Sequence, residues 1–308
     1  MSSSKKGIAL LITLLFIVAI TLSVGIGLKQ VKEASNHVQN ENFMLQTSVI
    51  LDDVLKLLQN SKELKEVAKN GSSEILYLFL SQSSFIPFQA AGVKISLEIF
   101  SARSKLNINC FRDINATNLN QPNEKLDAFK VYLNNYSVNI AYGDILMDLM
   151  GGIKEDMSYN SDIFYEKPYL FRDYVISYKH LLELNDFYMK SYHDNSLQNI
   201  EFEKLFSFAK NRENKIDLNY TSAHVWELML GVDKLRAEEL QLGSGFYTAL
   251  EDLNLNDEEK LSLEKFNVSY FEPYLDVTIE ILENESVAKI HFEYDIKNAK
   301  GSNFSYEI

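Results

Sequence analysis

Apolar and polar positions follow different periods along this chain, and the changes of period mark out its parts. From Ile8 to Leu28 no residue is charged and most are apolar. As a helix, a stretch of that length reaches roughly 31 Å, enough to cross the hydrocarbon core of a bilayer. Beyond it, Val31, Ala34, Val38, Leu45, Val49, Leu55 and Leu58 keep an apolar stripe while Lys, Glu, Gln and Asn fill the other positions. Neither Gly nor Pro interrupts the chain between Leu28 and Asn70. The pattern predicts one helix from Ile8 to about Asn60, near 80 Å long by its rise.

The period then changes to two. Val93 to Phe100 alternates strictly, with Leu106 to Asn109 as a short partner, and far downstream Tyr274 to Ile281 and Ala288 to Tyr294 alternate again around a turn at Asn284-Glu285. These predict four strands of a small antiparallel sheet. Between the two groups the spacing is helical, most clearly at 141–150, 174–189, 199–211 and 258–266, and Asn256 with Glu259 has the form of a reciprocal helix cap. The fold class expected is α+β: a long N-terminal transmembrane and spine helix packed on a small antiparallel sheet, with a large helical subdomain inserted. The boundaries expected are a leader at 1–7, a membrane part at 8–28, a head at 29–114, the insert at 115–265 and C-terminal strands at 266–308.

The formal net charge is −13. So acidic a surface repels phosphate backbones and argues against nucleic acid as a partner. Cys110 is the only cysteine, which excludes an intramolecular disulfide and any thiolate metal cluster. The five histidines show neither HxxxH nor HxH spacing, and the glycines form no phosphate-binding loop. His180 and Glu183 stand one turn apart and read as a surface pair. Residues 216–240 have the form of a helix-hairpin-helix, but the hairpin reads Gly231-Val232-Asp233, which puts a carboxylate where a phosphate would sit. No set of catalytic residues stands out, and the chain is not expected to be an enzyme.

The N-terminal junction carries the first resemblance. A short polar leader ends in Lys5-Lys6-Gly7, and the apolar run begins at once with Ile8. This resembles the leader of type IV pilins and type II secretion pseudopilins, which a prepilin peptidase cuts after the glycine, leaving the apolar helix as membrane anchor and assembly element. The lysines hold the N-terminus in the cytoplasm by the positive-inside bias. An ordinary signal peptide and an uncleaved signal anchor are the competing readings. Lys105-Leu106-Asn107-Ile108-Asn109, Asp144 to Met150, Leu182-Glu183-Leu184 and Lys215-Ile216-Asp217-Leu218-Asn219 follow in the order in which similar segments occur in the type II secretion minor pseudopilin K (GspK-like) family.

That resemblance implies a single-pass protein of the bacterial inner membrane with its bulk in the periplasm. It implies cleavage between Gly7 and Ile8, methylation of the new N-terminus, and assembly at the tip of a pseudopilus that drives protein export. The implied partners are the I- and J-type minor pseudopilins, the major pseudopilin, the prepilin peptidase and the inner-membrane assembly platform. Ile12 replaces the glutamate that most pilins carry at the fifth mature position, a mark of the K-type member that bears on filament position. Calcium is associated with such heads; here Gly151-Gly152 replaces acidic residues of the family pattern, although Glu155, Asp156 and Asp162 are nearby, and no cofactor is expected. A minor pilin of a type IV pilus or DNA-uptake pseudopilus shares these features, and a membrane-anchored periplasmic enzyme or binding protein is the alternative from another class.

Overall fold

The computed structural model describes residues 41, 43–90, 93–112, 123–242, 246–283 and 286–307. The leader, the apolar run and the turn at Asn284-Glu285 lie outside the described residues. Among the described residues no helix is long and apolar enough to cross a membrane.

Helix α1 (43–60) buries Phe43, Thr47, Val54 and Leu58. It stops at Ser61, whose hydroxyl accepts from Leu64 N and so caps a second helix, α2 (Lys62–Asn70). Gly71 at φ 63° closes α2, and Ser72 caps α3 (Ser73–Ser83) in the same way. Side-chain oxygens at successive N-caps take up amides that the helix starts leave unpaired. The chain thereby folds back over a sheet that opens with β1 (Phe85–Ala90) and β2 (Val93–Ser101).

At Ser101 the chain leaves the sheet. Its excursion contains β3 (Leu106–Asn107), α4 (Glu124–Asn135), α5 (Ala141–Met150), α6 (Ile163–Glu166), α7 (Tyr178–Tyr192), α8 (Phe202–Leu205), β4 (Phe206–Ser207), β5 (Ile216–Asp217), α9 (Ala223–Leu230), α10 (Lys234–Leu242), α11 (Asp257–Leu263) and β6 (Val268–Ser269). The short strands pair in parallel, β3 with β4 and β5 with β6. The chain then returns as β7 (Tyr274–Glu283), β8 (Ser286–Asp295) and β9 (Lys300–Glu307), giving an antiparallel sheet in the order β1-β2-β7-β8-β9. Strands β2 and β7 are neighbours although the excursion separates them in sequence, with Ile99 opposite Val277 and Ile95 opposite Ile281.

Two apolar cores result. One lies between the sheet and α1–α3 and includes Leu58, Val67, Leu97, Ile279 and Phe292. The other lies within the excursion and is aromatic, with Phe111 stacked on Phe129 at 4.9 Å and Tyr142 edge-on to Tyr188 at 5.4 Å. Cys110 packs against this second core, where burial pushes its thiol up to about 12.

The expected α+β class holds, and the sheet differs from expectation in three strands. Leu106-Asn107 pairs with β4 in the excursion, because the amides of Asn107 and Asn109 fasten it there. Strand β1 escapes the alternation rule because FIPFQA is an edge strand containing Pro87, and an edge tolerates proline. Strand β9 is exposed along almost its whole length and carries no alternating pattern to read. The helix expected over 199–211 shrinks to α8, since the chain beyond Leu205 pairs with β3 and gives its carbonyls at Ala209 and Asn211 to Asn107. The helix expected from Tyr174 starts instead at Tyr178, capped by Ser177.

The Asn256–Glu259 cap is present in both directions, each side chain accepting from the other residue's backbone amide at 2.9 Å. Asn256→Ala is expected to cost about 1 kcal/mol, read as a lower urea midpoint with an unchanged slope.

Candidate partner surface and the neck that holds it

Helix α1 has one apolar face and, on the opposite side, two exposed apolar residues followed by the Asp52–Lys56 ion pair. Phe43, Val54 and Leu58, at 1–4% exposure, point into the core, while Leu45 and Val49 are 66% and 60% exposed. With 100° between successive residues, Leu45 and Val49 stand on the side opposite the buried face. The apolar positions that form a single stripe in the sequence therefore divide: Leu55 and Leu58 belong to the packed side, and Leu45 and Val49 to the outer side. In the sequence Val31, Ala34 and Val38 fall in phase with the outer pair. Exposed apolar residues one turn apart on a helix make that side a candidate for contact with another helix.

The chain crosses between the two cores at a neck built on Arg103. Its guanidinium lies 4.2 Å over the Tyr274 ring and makes a fork-to-fork pair with Glu293 at 2.6 and 2.8 Å. The two side chains are 8% and 17% exposed, so the pair is shielded from water. The Arg103 carbonyl accepts from Asp217 N, joining the outgoing chain to β5.

Asp217 is fully buried, and its carboxylate accepts from Asn219 N at 3.1 Å and Glu272 N at 2.8 Å. Asn219 in turn bridges the carbonyls of Tyr247 and Tyr270 and accepts from Tyr247 N. Asn107 and Asn109 repeat this device at the other end of the excursion. The Asn107 side chain accepts from Asn109 N, and Asn109 bridges Val175 and Ala209. The two Lys-x-Asn/Asp-x-Asn segments are thus fasteners: short side chains satisfy backbone groups that no regular ladder reaches.

Burial pushes the Asp217 carboxyl up to about 6, against the pull of its two amide donors. His291 is also raised, by its 2.7 Å hydrogen bond to Asp276 across the β7–β8 pair. A raised pKa means that the fold binds the proton better than the unfolded chain does. For Asp217 the stabilisation is full below its ordinary value of 3.8 and is lost as pH rises through about 6. For His291 it is full below 6.5 and is lost above that. The melting temperature is therefore expected to fall between pH 5 and pH 8 along a slope that Asp217→Asn and His291→Gln each flatten. Because buried His180 titrates with the opposite sign, the assignment is contradicted by a slope that neither substitution changes.

Other sequence features take structural roles. Asp233 accepts from Arg236 N at 2.9 Å, so the chain's own carboxylate fills the anion position of the α9–α10 hairpin, where Gly231 turns at φ 68°. His180 is buried rather than at the surface, which lowers its pKa, and Glu183 pairs with Lys167 at 2.7 Å. Asp148 is buried and holds Asn160 and Ser161, while Asp156 caps Ser158. Among the described residues no three His, Cys, Asp or Glu side chains converge in a group that could hold a metal ion. Lys5, Lys6, Gly7, Ile8 and Ile12 lie outside the described residues. Arg103 and Asp217 escaped the sequence reading as neck residues; only the repeated Lys-x-Asn/Asp-x-Asn spacing pointed toward one of them.

No protein-family model matches the sequence, and no curated protein matches it. Among solved structures, the chain is similar to a chain in the crystal structure of the GspK-GspI-GspJ complex from the enterotoxigenic Escherichia coli type 2 secretion system. The TM-score is 0.50 at 12% identity, covering 88% of this chain and 97% of that one. The likeness is one of fold, and it falls within the complex that contains the K-type protein.

Proposed function

We propose that this chain is a minor pseudopilin of a type II secretion system, assembling with I- and J-type partners at the tip of a pseudopilus. The observation that carries the reading is the two-faced helix α1. One side is buried on the sheet, and the other presents Leu45 and Val49 in phase with apolar residues upstream in the sequence. The fold shared with a chain of the GspK-GspI-GspJ complex supports the same class of partner.

The sheet edges favour assembly through the helix rather than by strand addition. Pro87 sits in the middle of β1, and β9 shifts register against β8 between His291 and Glu293, close to Asn303 at φ 56°. Proline and bulges are the usual guards of a strand edge.

In this proposal the prepilin peptidase cuts after Gly7, the amine of Ile8 is methylated, and the apolar helix anchors the subunit in the inner membrane until the platform extracts it. The subunit adds to the major pseudopilin and carries out no catalysis. The excursion between β2 and β7 forms a bulky helical domain that blocks further subunits above it. A glutamate at the fifth mature position would pair with a neighbour's amine in a low-dielectric setting, and Ile12 cannot do so. Ile12→Glu is expected to perturb assembly measurably, read as pseudopilus number and length by microscopy. Unchanged filaments contradict the tip position.

A further inference from the structure

Two aromatic side chains of the excursion reach into the other core. Tyr220 and Phe271 both pack against the apolar core between the sheet and α1–α3. Tyr77 of α3 meets Phe246 edge-on at 5.3 Å, and Ser73 donates to the Tyr270 carbonyl at 3.1 Å. Beside the Arg103 neck, this joint is where the excursion grips the head. Two segments carry the aromatic plugs, 217–221 at the end of β5 and 269–272 at the end of β6. Their strand pairing ends with Leu218 N donating to Ser269 O. Past that point side chains span them: Asn219 donates to the Tyr270 carbonyl at 2.7 Å, and Asp217 Oδ2 accepts from Glu272 N at 2.8 Å. Asp217 is fully buried, and no ion pair among the described residues includes it. Arg103, whose carbonyl takes the Asp217 amide, spends its guanidinium on Glu293. The other titratable neighbours bring no positive charge. The Glu272 carboxylate repels Asp217, and the Tyr220 hydroxyl is buried without a partner. Tyr77, Tyr247 and Tyr270 are phenols, with Glu251 and Asp252 beyond Tyr270.

We propose that Asp217 makes this grip a pH-set latch: the neutral acid keeps Tyr220 and Phe271 seated in the head core, and ionisation lets the two segments open together and frees the excursion to turn on its neck. A carboxylate buried without a counter-cation is costly, and two amide donors offset only part of that cost. A proton on Oδ1, whose partner is the nearby Asn219 amide, removes the charge and leaves the Oδ2–Glu272 link between the segments in place. Opening of the joint instead delivers the ionised carboxylate to water, while the Arg103–Glu293 fork still holds the chain at the sheet. Burial raises the Asp217 carboxyl, so the closed joint binds the proton better than the open one. Closure is therefore favoured in acid and weakens as pH rises through about 6. Such local opening needs no global unfolding. The latch is independent of the pseudopilin reading, since it concerns the joint and not the outer side of α1.

Hydrogen exchange of the full-length chain, read by mass spectrometry and corrected for intrinsic rates, tests the latch at pH 5.5 and pH 8. Peptides covering 217–221 and 269–272 are expected to be about fourfold less protected at pH 8, the ratio for a carboxyl at about 6 in the closed joint and 3.8 in the open one. Asp217→Asn, which cannot ionise, is expected to abolish that change, and His291→Gln to leave it in place. Phe271→Ala keeps Asp217 and removes a plug. It is expected to expose both segments at both pH values while the amides of β2 and β7 stay protected. Equal protection of the wild-type joint at the two pH values overturns the proposal, as does a change that survives in Asp217→Asn. A loss that β2 and β7 share in full also overturns it, since that is global unfolding. Should Asp217→Asn fail to fold, the joint and sheet peptides of the wild type decide alone.

Discussion

Replacing Arg103 by alanine is expected to destabilise the protein by about 3–5 kcal/mol, the cost of leaving a buried charge without its partner. The guanidinium lies on the Tyr274 ring and forks onto Glu293, and both charged side chains are shielded. Removing it leaves a carboxylate on β8 facing a dry gap at the point where the chain leaves the sheet. Arg103→Lys keeps the charge and loses the fork, so it should fall between wild type and alanine. The double variant Arg103→Met with Glu293→Leu should recover much of the loss, because no unpaired charge remains. Urea unfolding of the four proteins reads these differences. A loss below about 1 kcal/mol for Arg103→Ala, the size of an exposed pair, contradicts a shielded neck.

Leu45→Glu combined with Val49→Glu is expected to leave the fold intact and to abolish association. Both side chains are mostly exposed, so their replacement should change stability by no more than about 0.5 kcal/mol each. Charges placed on the outer side of α1 must be stripped of water when a partner helix packs there. Co-purification with the proposed minor-pseudopilin partners should then be lost while the melting curve stays in place. Leu58→Ala gives the opposite result. It opens the sheet–helix core, costs about 2–5 kcal/mol, and leaves the outer face unaltered. If the charged pair leaves association unchanged, α1 is not the assembly surface.

Much of the frame was legible because burial on one face writes a period into the sequence. Strand β2 and the β7–β8 pair alternate since one side meets α1–α3 and the other meets water. Helix α5 spans the same residues as its apolar spacing, and the Asn256 cap was visible because its chemistry is local. The misreadings have physical causes. Strand β9 has no buried face to leave a pattern, β1 is interrupted by Pro87, and α8 yields to Asn107 and Asn109, which reach across about a hundred residues to the Ala209 carbonyl.

The candidate partner surface was half legible. The apolar positions of α1 were visible, but which of them face the core depends on the sheet, and that separated Leu45 and Val49 from Leu55 and Leu58. Arg103 could not be found from spacing, because its partners on β7 and β8 lie some 170 to 190 residues away in sequence. The second Lys-x-Asp-x-Asn segment was visible as a repeat, and its role as a fastener became readable only from the carbonyls that Asn219 holds.

The central claim is that this chain is an assembling subunit of the pilin class, and the mature N-terminus tests it most directly. Intact-mass and peptide mass spectrometry would be applied to the protein from cells with and without a prepilin peptidase. The account predicts a peptidase-dependent start at Ile8 bearing an N-methyl group, and the uncut chain in the cells that lack the enzyme. A start at Met1 in both, or one after Gly25, would contradict it.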